Sequence, residues 1–339
     1  MSKKNSSVNL KNGFKDHKDL SKVFIKFKKR LNDLSKKRYV AAVSGGPDSL
    51  GLVALTQAYA YQKKTKFHYV LVDHNIRKDS HREAIQVRNL LKKKKINLKI
   101  FTNKREITKN VQANARNVRY EILYNYCKKH KVKTLLTAHN MEDQVETFLI
   151  RLSRGSGLKG LSAMKTVNKI NSNLNLCRPL LDVKKKFLIK ISKIYFGKYF
   201  NDPSNKNIKY LRTKVRNLRK PLENSGIKYE QIFRSIYNLS LSKATLDDYL
   251  KKICKELIKK KDKEIFIDFK KYKSLNFDIK IALINHSIKQ LRDNYYDLRS
   301  KKLENLIQNL SKSNFKKSTL GGCIFFKKGK NLCLKVEKL

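Results

Sequence analysis

Residues 39–43 read YVAAV, a short apolar run with β-branched valines, and pass without a break into SGGPDS at 44–49. A chain with only four prolines and 12 glycines has put a proline and two glycines into that one turn. The stretch after it, 49–63, has helical character. A buried strand that ends in a glycine-rich turn and opens a helix aims several backbone N–H groups at one point. The helix dipole adds positive potential there, so the turn suits an anion, most often a phosphate.

Further strand-like segments stand at 67–72, 98–101 and 134–137, with helical patterns at 80–94, 111–130 and 141–152. Strand and helix alternating at this spacing imply an α/β fold whose parallel sheet is covered on both faces. Ligands of such sheets sit beyond the carboxyl ends of the strands. SGGPDS, VDHNIR (72–77) and TAHNMEDQ (137–144) are therefore expected to converge on one cleft. From Cys177-Arg178-Pro179 onward the pattern turns helical, at 184–196 and 211–219, and the first domain closes near Pro221. A smaller, mainly helical, lysine-rich region follows from 227 to 313, with one short strand at 265–269. The tail reads as a β-hairpin around Lys328-Gly329-Lys330.

Charge narrows the partner. Eighty Lys and Arg against 27 Asp and Glu leave a formal net charge of +53, far beyond what solubility requires, and nucleic acid is the first inference. A lysine-biased proteome accounts for part of that excess, in solvated runs such as 92–95. Five cysteines, widely spread and without a CxxC pair, argue against a disulfide framework, a zinc knuckle and a dithiol redox centre. The basic N-terminal stretch lacks the apolar core of a secretory signal. No segment reaches the roughly 20 apolar residues of a membrane span, so a cytoplasmic protein with no membrane partner is expected.

The turn lacks the GK[ST] ending of a Walker A loop, and with it the lysine that would reach the β- and γ-phosphates. Asp48 at the helix start is either a cap or a carboxylate that holds Mg²⁺ against a phosphate. SGGPDS resembles the SGGxDS signature of the PP-loop ATP pyrophosphatases, which cleave ATP between the α- and β-phosphates. On that resemblance Ser44, Gly45, Gly46, Pro47, Asp48 and Ser49 form the ATP cradle, with Mg²⁺ on Asp48. VDHNIR, NARNVRYEIL (114–123), TAHNMEDQVETFLIRLSRGSGLKGLSAM (137–164), RPLL (178–181) and DPSNKNIKYLRTKVR (202–216) narrow the likeness. In order and spacing they resemble the tRNA(Ile)-lysidine synthetases over about residues 38–222.

The resemblance implies adenylation by ATP of the wobble cytidine of a CAU-anticodon tRNA(Ile), then attack at C2 by the ε-amine of free L-lysine. It divides the chain into a basic N-terminal extension or helix (1–36), a PP-loop catalytic domain (37–222) and a lysine-rich tRNA-binding region (223–339). The C-terminal part matches less well and resembles a shorter version of the family. A homodimer stays open.

The residues suit that chemistry. His139, Asp143 and Glu146 stand at i, i+4 and i+7, a spacing that presents all three on one helix face. Two carboxylates and an imidazole could hold a lysine ammonium, orient it and accept its proton; acids in a first turn also simply suit the helix dipole. Glu142 stands where the family usually has a second Asp. Arginine persists in the matched segments although the basic excess is mostly lysine, which points to fork-shaped contacts. Arg119 is the candidate for the adenylate phosphate, and Arg116, Arg154, Arg178, Arg212 and Arg216 for substrate or tRNA. The alternative for Arg116 and Arg119 is pairing with Glu121 or other helix acids. Tyr229, Phe233, Tyr237 and Tyr249 could stack on bases, although core packing is the usual role of aromatics at helical spacing. Two rival functions remain: a PP-loop tRNA 2-thiolation enzyme, and a non-catalytic RNA-binding protein.

Overall fold

The computed structural model describes residues 10–337 apart from 13, 78, 109, 202, 204–206, 293–299 and 313. After a short 3-10 turn, helix α1 (Lys18–Leu34) leads into β1 (Arg38–Val43), α2 (Pro47–Gln62), β2 (Lys66–Asp73), α3 (Ser80–Lys92), β3 (Leu98–Thr102), α4 (Val111–Lys129) and β4 (Thr134–Leu136). Then come α5 (Met141–Leu152), α6 (Leu158–Leu161), the hairpin β5 (Val167–Asn171) and β6 (Leu174–Cys177), α7 (Lys185–Phe196), α8 (Leu211–Asn217) and α9 (Arg219–Asn224). Five strands run parallel in the order β3-β2-β1-β4-β6, and β5 adds an antiparallel edge. The β5–β6 hairpin was not expected from the sequence, whose polar NKINSN run carries no clear alternation.

Period-2 alternation explains how the sheet is covered. Tyr39, Ala41 and Val43 face a core shared with α1, α2 and α7, while Val40 faces the opposite core with Val70, Leu123, Tyr126 and Leu135. Helix α2 lies so deep that Ser49 to Thr56 are all buried. At Gly51 an added Cβ would meet Leu188 Cα at 3.3 Å, so glycine permits the close approach of α7.

Strand order supplies the crevice. The chain winds from β1 out to β3 and then returns to place β4 on the other side of β1. That reversal is a switch point, where the loops after two neighbouring strands part and leave room for a ligand. The loops concerned are 44–46 and 137–140.

Compactness divides the chain between Leu239 and Ser240, inside α10 (Tyr229–Leu257), whereas the sequence suggested a break at 222. The second unit holds β7 (Ile258–Lys261), β8 (Glu264–Asp268), α11 (Phe269–Ser274), α12 (Phe277–Leu291), α13 (Ser300–Ser311), β9 (Lys317–Leu320), β10 (Cys323–Lys328) and β11 (Asn331–Val336). The expected hairpin around Gly329 is there, and it is the centre of a five-stranded antiparallel sheet, β7-β8-β11-β10-β9. IKKK and KSTL give little strand signal by themselves; ladder pairing to β8 and β10 makes them strands.

Candidate active site

The turn after β1 is held from within. Gly45 has φ +81°, in the left-handed region, and an added Cβ would meet Val87 Cγ2 at 2.4 Å. The Phe200 N–H donates to the Gly45 carbonyl at 3.0 Å. Ser49 Oγ accepts from the Ser44 N–H at 3.1 Å and donates to the Gly46 carbonyl at 3.0 Å, so this buried hydroxyl braces the turn from inside. Ser44 is exposed at its mouth. Gly45→Ala should lower stability by about 1–3 kcal/mol, the usual cost of forcing a side chain into that backbone region. It should weaken ATP binding with it; an unchanged melting temperature and ATP affinity would show that the turn tolerates a Cβ.

Helix α2 begins at Pro47 with Gly46 as its N-cap and no side-chain capping bond, so Asp48 is not a cap. Its carboxyl sits largely buried, with Oδ2 3.7 Å from Lys185 Nζ. Oδ1 is buried without a hydrogen-bond partner. Burial first, and then Asp143 and Glu142 nearby, push its pKa up to about 6 against the pull of Lys185. An orphaned hard oxygen beside a glycine-rich turn at a helix start fits Mg²⁺, which takes one or two carboxylates and completes its shell with water and phosphate. No group of three or more His, Cys, Asp or Glu able to hold a metal exists among the described residues, as that mode of binding requires none.

The loop after β4 carries His139, whose Nδ1 lies 3.0 Å from Thr137 Oγ1. Burial, and then the guanidiniums of Arg178, Arg116, Arg212 and Arg119, push its pKa down to about 3. The imidazole is neutral, and the same field attracts anions. Asn140 caps α5: its Oδ1 accepts from the Asp143 N–H at 3.0 Å, and Asp143 Oδ2 accepts from the Asn140 N–H at 3.1 Å. Asp143 thus spends one oxygen on a capping box and turns the other to Arg212 Nη2 at 3.3 Å.

Glu146 is buried one turn on and grips two arginines of α8. Arg212 Nε donates to Oε2 at 2.6 Å, and Arg216 donates from Nε to Oε1 at 2.6 Å and from Nη2 to Oε2 at 3.2 Å. The acids expected to welcome an amine hold cations of the chain itself. Glu142, next along, accepts from the Lys185 N–H at 2.9 Å and so caps the first turn of α7.

The remaining arginines differ in kind. Arg119 is exposed and donates from Nε (3.1 Å) to His74 Nε2, joining NARNVRYEIL to VDHNIR. Arg116 lies over the Tyr120 ring at 4.9 Å, and Glu121 is held through two bonds by Arg105. Arg178 is buried after β6: its Nη1 donates to the Lys165 carbonyl at 3.1 Å, and its Nε is buried without a hydrogen-bond partner. Arg154 is exposed. Arg151 is structural, tying the 153–163 loop through the carbonyls of Gly160 and Ala163. In the segment 202–216, residues 202 and 204–206 lie outside the described residues. Tyr229 is buried with Val145 and Ile232, Phe233 packs against them, and Tyr237 and Tyr249 are exposed. Sequence reasoning missed Lys185, Asn140 and His74. DVKKKF directly after RPLL was the available signal for Lys185, and the N-cap preference of Asn before a run with Asp at the third position for Asn140.

The profile of the PP-loop domain family matches residues 20–222. Over 298 residues, 86% of this chain and 69% of the relative, the sequence is 33% identical to the tRNA(Ile)-lysidine synthase of Wolbachia pipientis wMel. The chain belongs to the tRNA(Ile)-lysidine synthase family. A second lysidine synthase, from Wolbachia sp. subsp. Brugia malayi (strain TRS), is 32% identical over 302 residues, 88% of this chain and 70% of its own length. The solved U34-tRNA thiolase NcsA from Methanococcus maripaludis, with its 4Fe-4S cluster, shares the fold. Its TM-score is 0.56 at 18% identity, over 69% of this chain and 85% of that one. A 2-thiolation function is not favoured in this lysidine synthase relative. All five cysteines are buried, and burial pushes the thiols of Cys127 and Cys177 up to about 12. The PP-loop domain implies ATP use. Among the described residues no helix is long and apolar enough to cross a membrane.

Proposed function

We propose that the chain ligates free L-lysine to C2 of the wobble cytidine of a CAU-anticodon tRNA(Ile) in the cytoplasm, through an adenylated base, releasing AMP and pyrophosphate. The observation that carries this reading is that Asp48, at the start of α2, lies within electrostatic reach of Asp143 and Arg216, while Asp143 and Glu146 already hold cations near an arginine-surrounded His139. The N–H groups of Gly45, Gly46, Asp48 and Ser49 would cradle the phosphates, Pro47 having none, and Asp48 would hold Mg²⁺, which when bound would neutralise charge on the leaving pyrophosphate. Arg119 and Arg178 face the adenylate, where a planar fork suits a phosphate better than an ammonium does.

Lysine's amine has an ordinary pKa near 10.4 and arrives protonated. Asp143 and Glu146 offer it the positions that Arg212 and Arg216 occupy, and those arginines turn to phosphate oxygens as the substrates load. The lysine-rich second unit supplies sequence-independent affinity for the RNA backbone.

Incubation with ATP, labelled lysine and a CAU-anticodon tRNA(Ile) transcript should transfer label to RNA. Pyrophosphate release that requires a sulfur donor and transfers no lysine would replace this reading with thiolation. His139 offers a second check. Its pKa lies far below the ordinary imidazole value because of burial and surrounding guanidiniums. Bound triphosphate cancels part of that field, so the folded value should rise toward the ordinary one of about 6.5. NMR titration of the His139 ring with and without nucleotide reads this group alone, whereas net proton uptake would mix it with Asp48, which Mg²⁺ moves downward. A ring pKa unmoved by ATP would take the phosphates away from His139.

A further inference from the structure

The second unit carries a feature that the proposed reaction does not use. Opposite residues of an antiparallel ladder share one face of the sheet. The register therefore sets Lys259, Phe266, Cys333, Phe326 and Lys317 in one row across all five strands. The neighbouring row on that face is Lys261, Glu264, Lys335, Ile324 and Thr319. The other face holds Ile265, Ile267, Cys323, Phe325, Leu332 and Leu334, all buried in the unit's core with residues of α12 and α13. Phe266, Ile324 and Phe326 lie outside that core and are only half-buried. An antiparallel sheet with one wet face ordinarily turns polar residues outward; this one turns out two aromatic rings and an isoleucine.

Strands lie about 4.8 Å apart, so the two rings stand roughly 10 Å apart with the small, buried Cys333 between them. Lys335 Nζ is 5.4 Å from the centroid of Phe326. Five lysines (Lys259, Lys261, Lys317, Lys328 and Lys335) share this face with two acids, Glu264 and Asp268. Aromatic rings in a lysine-rimmed sheet match unpaired nucleotides, whose bases offer π-faces and whose phosphates offer negative charge. A duplex keeps its bases stacked on each other and offers only the phosphates.

We infer that this face of the sheet is a stacking platform for unpaired RNA, with Phe266 and Phe326 under the bases and Lys259, Lys317 and Lys335 on the backbone. The surface is argued from the sheet alone; that the strand belongs to the tRNA substrate rests on the reaction proposed above. Binding is therefore read without ATP or lysine, and a failure of lysine transfer leaves the inference standing.

The test measures affinity of the full-length chain for a labelled single-stranded 12-nucleotide RNA and for a 12-base-pair RNA duplex. Replacing both rings by leucine, F266L with F326L, keeps apolar bulk and removes the π-faces. The pair should weaken single-strand binding about ten-fold or more and leave duplex binding within about two-fold. Unchanged single-strand binding, or an equal loss for both RNAs, overturns the platform. If the double variant does not fold, wild-type chain is crosslinked to the same strand carrying 4-thiouridine. Crosslinks on β8, β10 or β11 support the inference, and crosslinks confined to other segments overturn it.

Discussion

Asp48→Asn is expected to abolish ATP–pyrophosphate exchange while making the chain more stable at neutral pH. The two effects share a cause. Burial raises the Asp48 pKa from 3.8 to about 6, so the folded state holds an ionised carboxylate that it would rather protonate. The sign follows: a folded pKa above the unfolded one means a stability deficit that is full above about pH 6 and disappears as pH falls through about 4. A shift of about two units corresponds to roughly 3 kcal/mol. The attraction of Lys185 is already contained in that net shift. A gain of up to about 3 kcal/mol is expected near pH 7.5, shrinking toward zero by pH 4. Exchange should fall by at least about a hundred-fold, since an amide cannot hold Mg²⁺ against the phosphates as a carboxylate does, while affinity for tRNA stays within about two-fold. Thermal melts across pH, exchange kinetics and a binding isotherm measure all three. A variant that is less stable at pH 7.5, or that still exchanges, would refute the role given to this carboxylate.

Glu146→Gln should act in the opposite sense on stability. Glu146 is 5% exposed and meets two guanidiniums, so an amide leaves them facing Asp143 alone. Breaking a buried pair costs about 3–5 kcal/mol. Arg212 and Arg216 keep 33% and 32% of their side-chain surface, which lowers the expected loss to about 2 kcal/mol. In turnover, the KM for lysine should rise about ten-fold or more, as expected when a hydrogen bond to a charged group is lost, with the KM for ATP within about two-fold. Glu146→Asp should recover part of the lysine effect. Equal changes in both KM values would leave Glu146 as an anchor for α8 and nothing more.

Particular residues show how far the chain could be read unaided. Strands β1 to β4 and the helix at 141–152 were legible because each has its own periodicity and an abrupt end at Gly, Asn or Pro. His139, Asp143 and Glu146 were legible as a group, since strand-end placement puts the following loop and helix start at the crevice. The capping box was readable in principle from Asn140 followed three residues later by Asp143. The grip of Arg212 and Arg216 on Glu146 was not readable, because it spans 66 and 70 residues and depends on where α8 docks. Lys185 opposite Asp48 was hidden for the same reason. In the second unit, IKKK and KSTL look like solvated charge runs until a neighbouring ladder claims them.

Local order along the chain therefore determined the α/β architecture, the glycine-rich turn after β1 and the run of acids that opens α5, since periodicity and turn chemistry act between residues a few positions apart. Only the folded molecule decided which charges meet: that the acids are already paired, that Asp48 is stranded in a buried site, and that His139 is neutral among arginines. Those outcomes depend on distance and burial, which residues far apart in sequence acquire only once helices pack on the sheet.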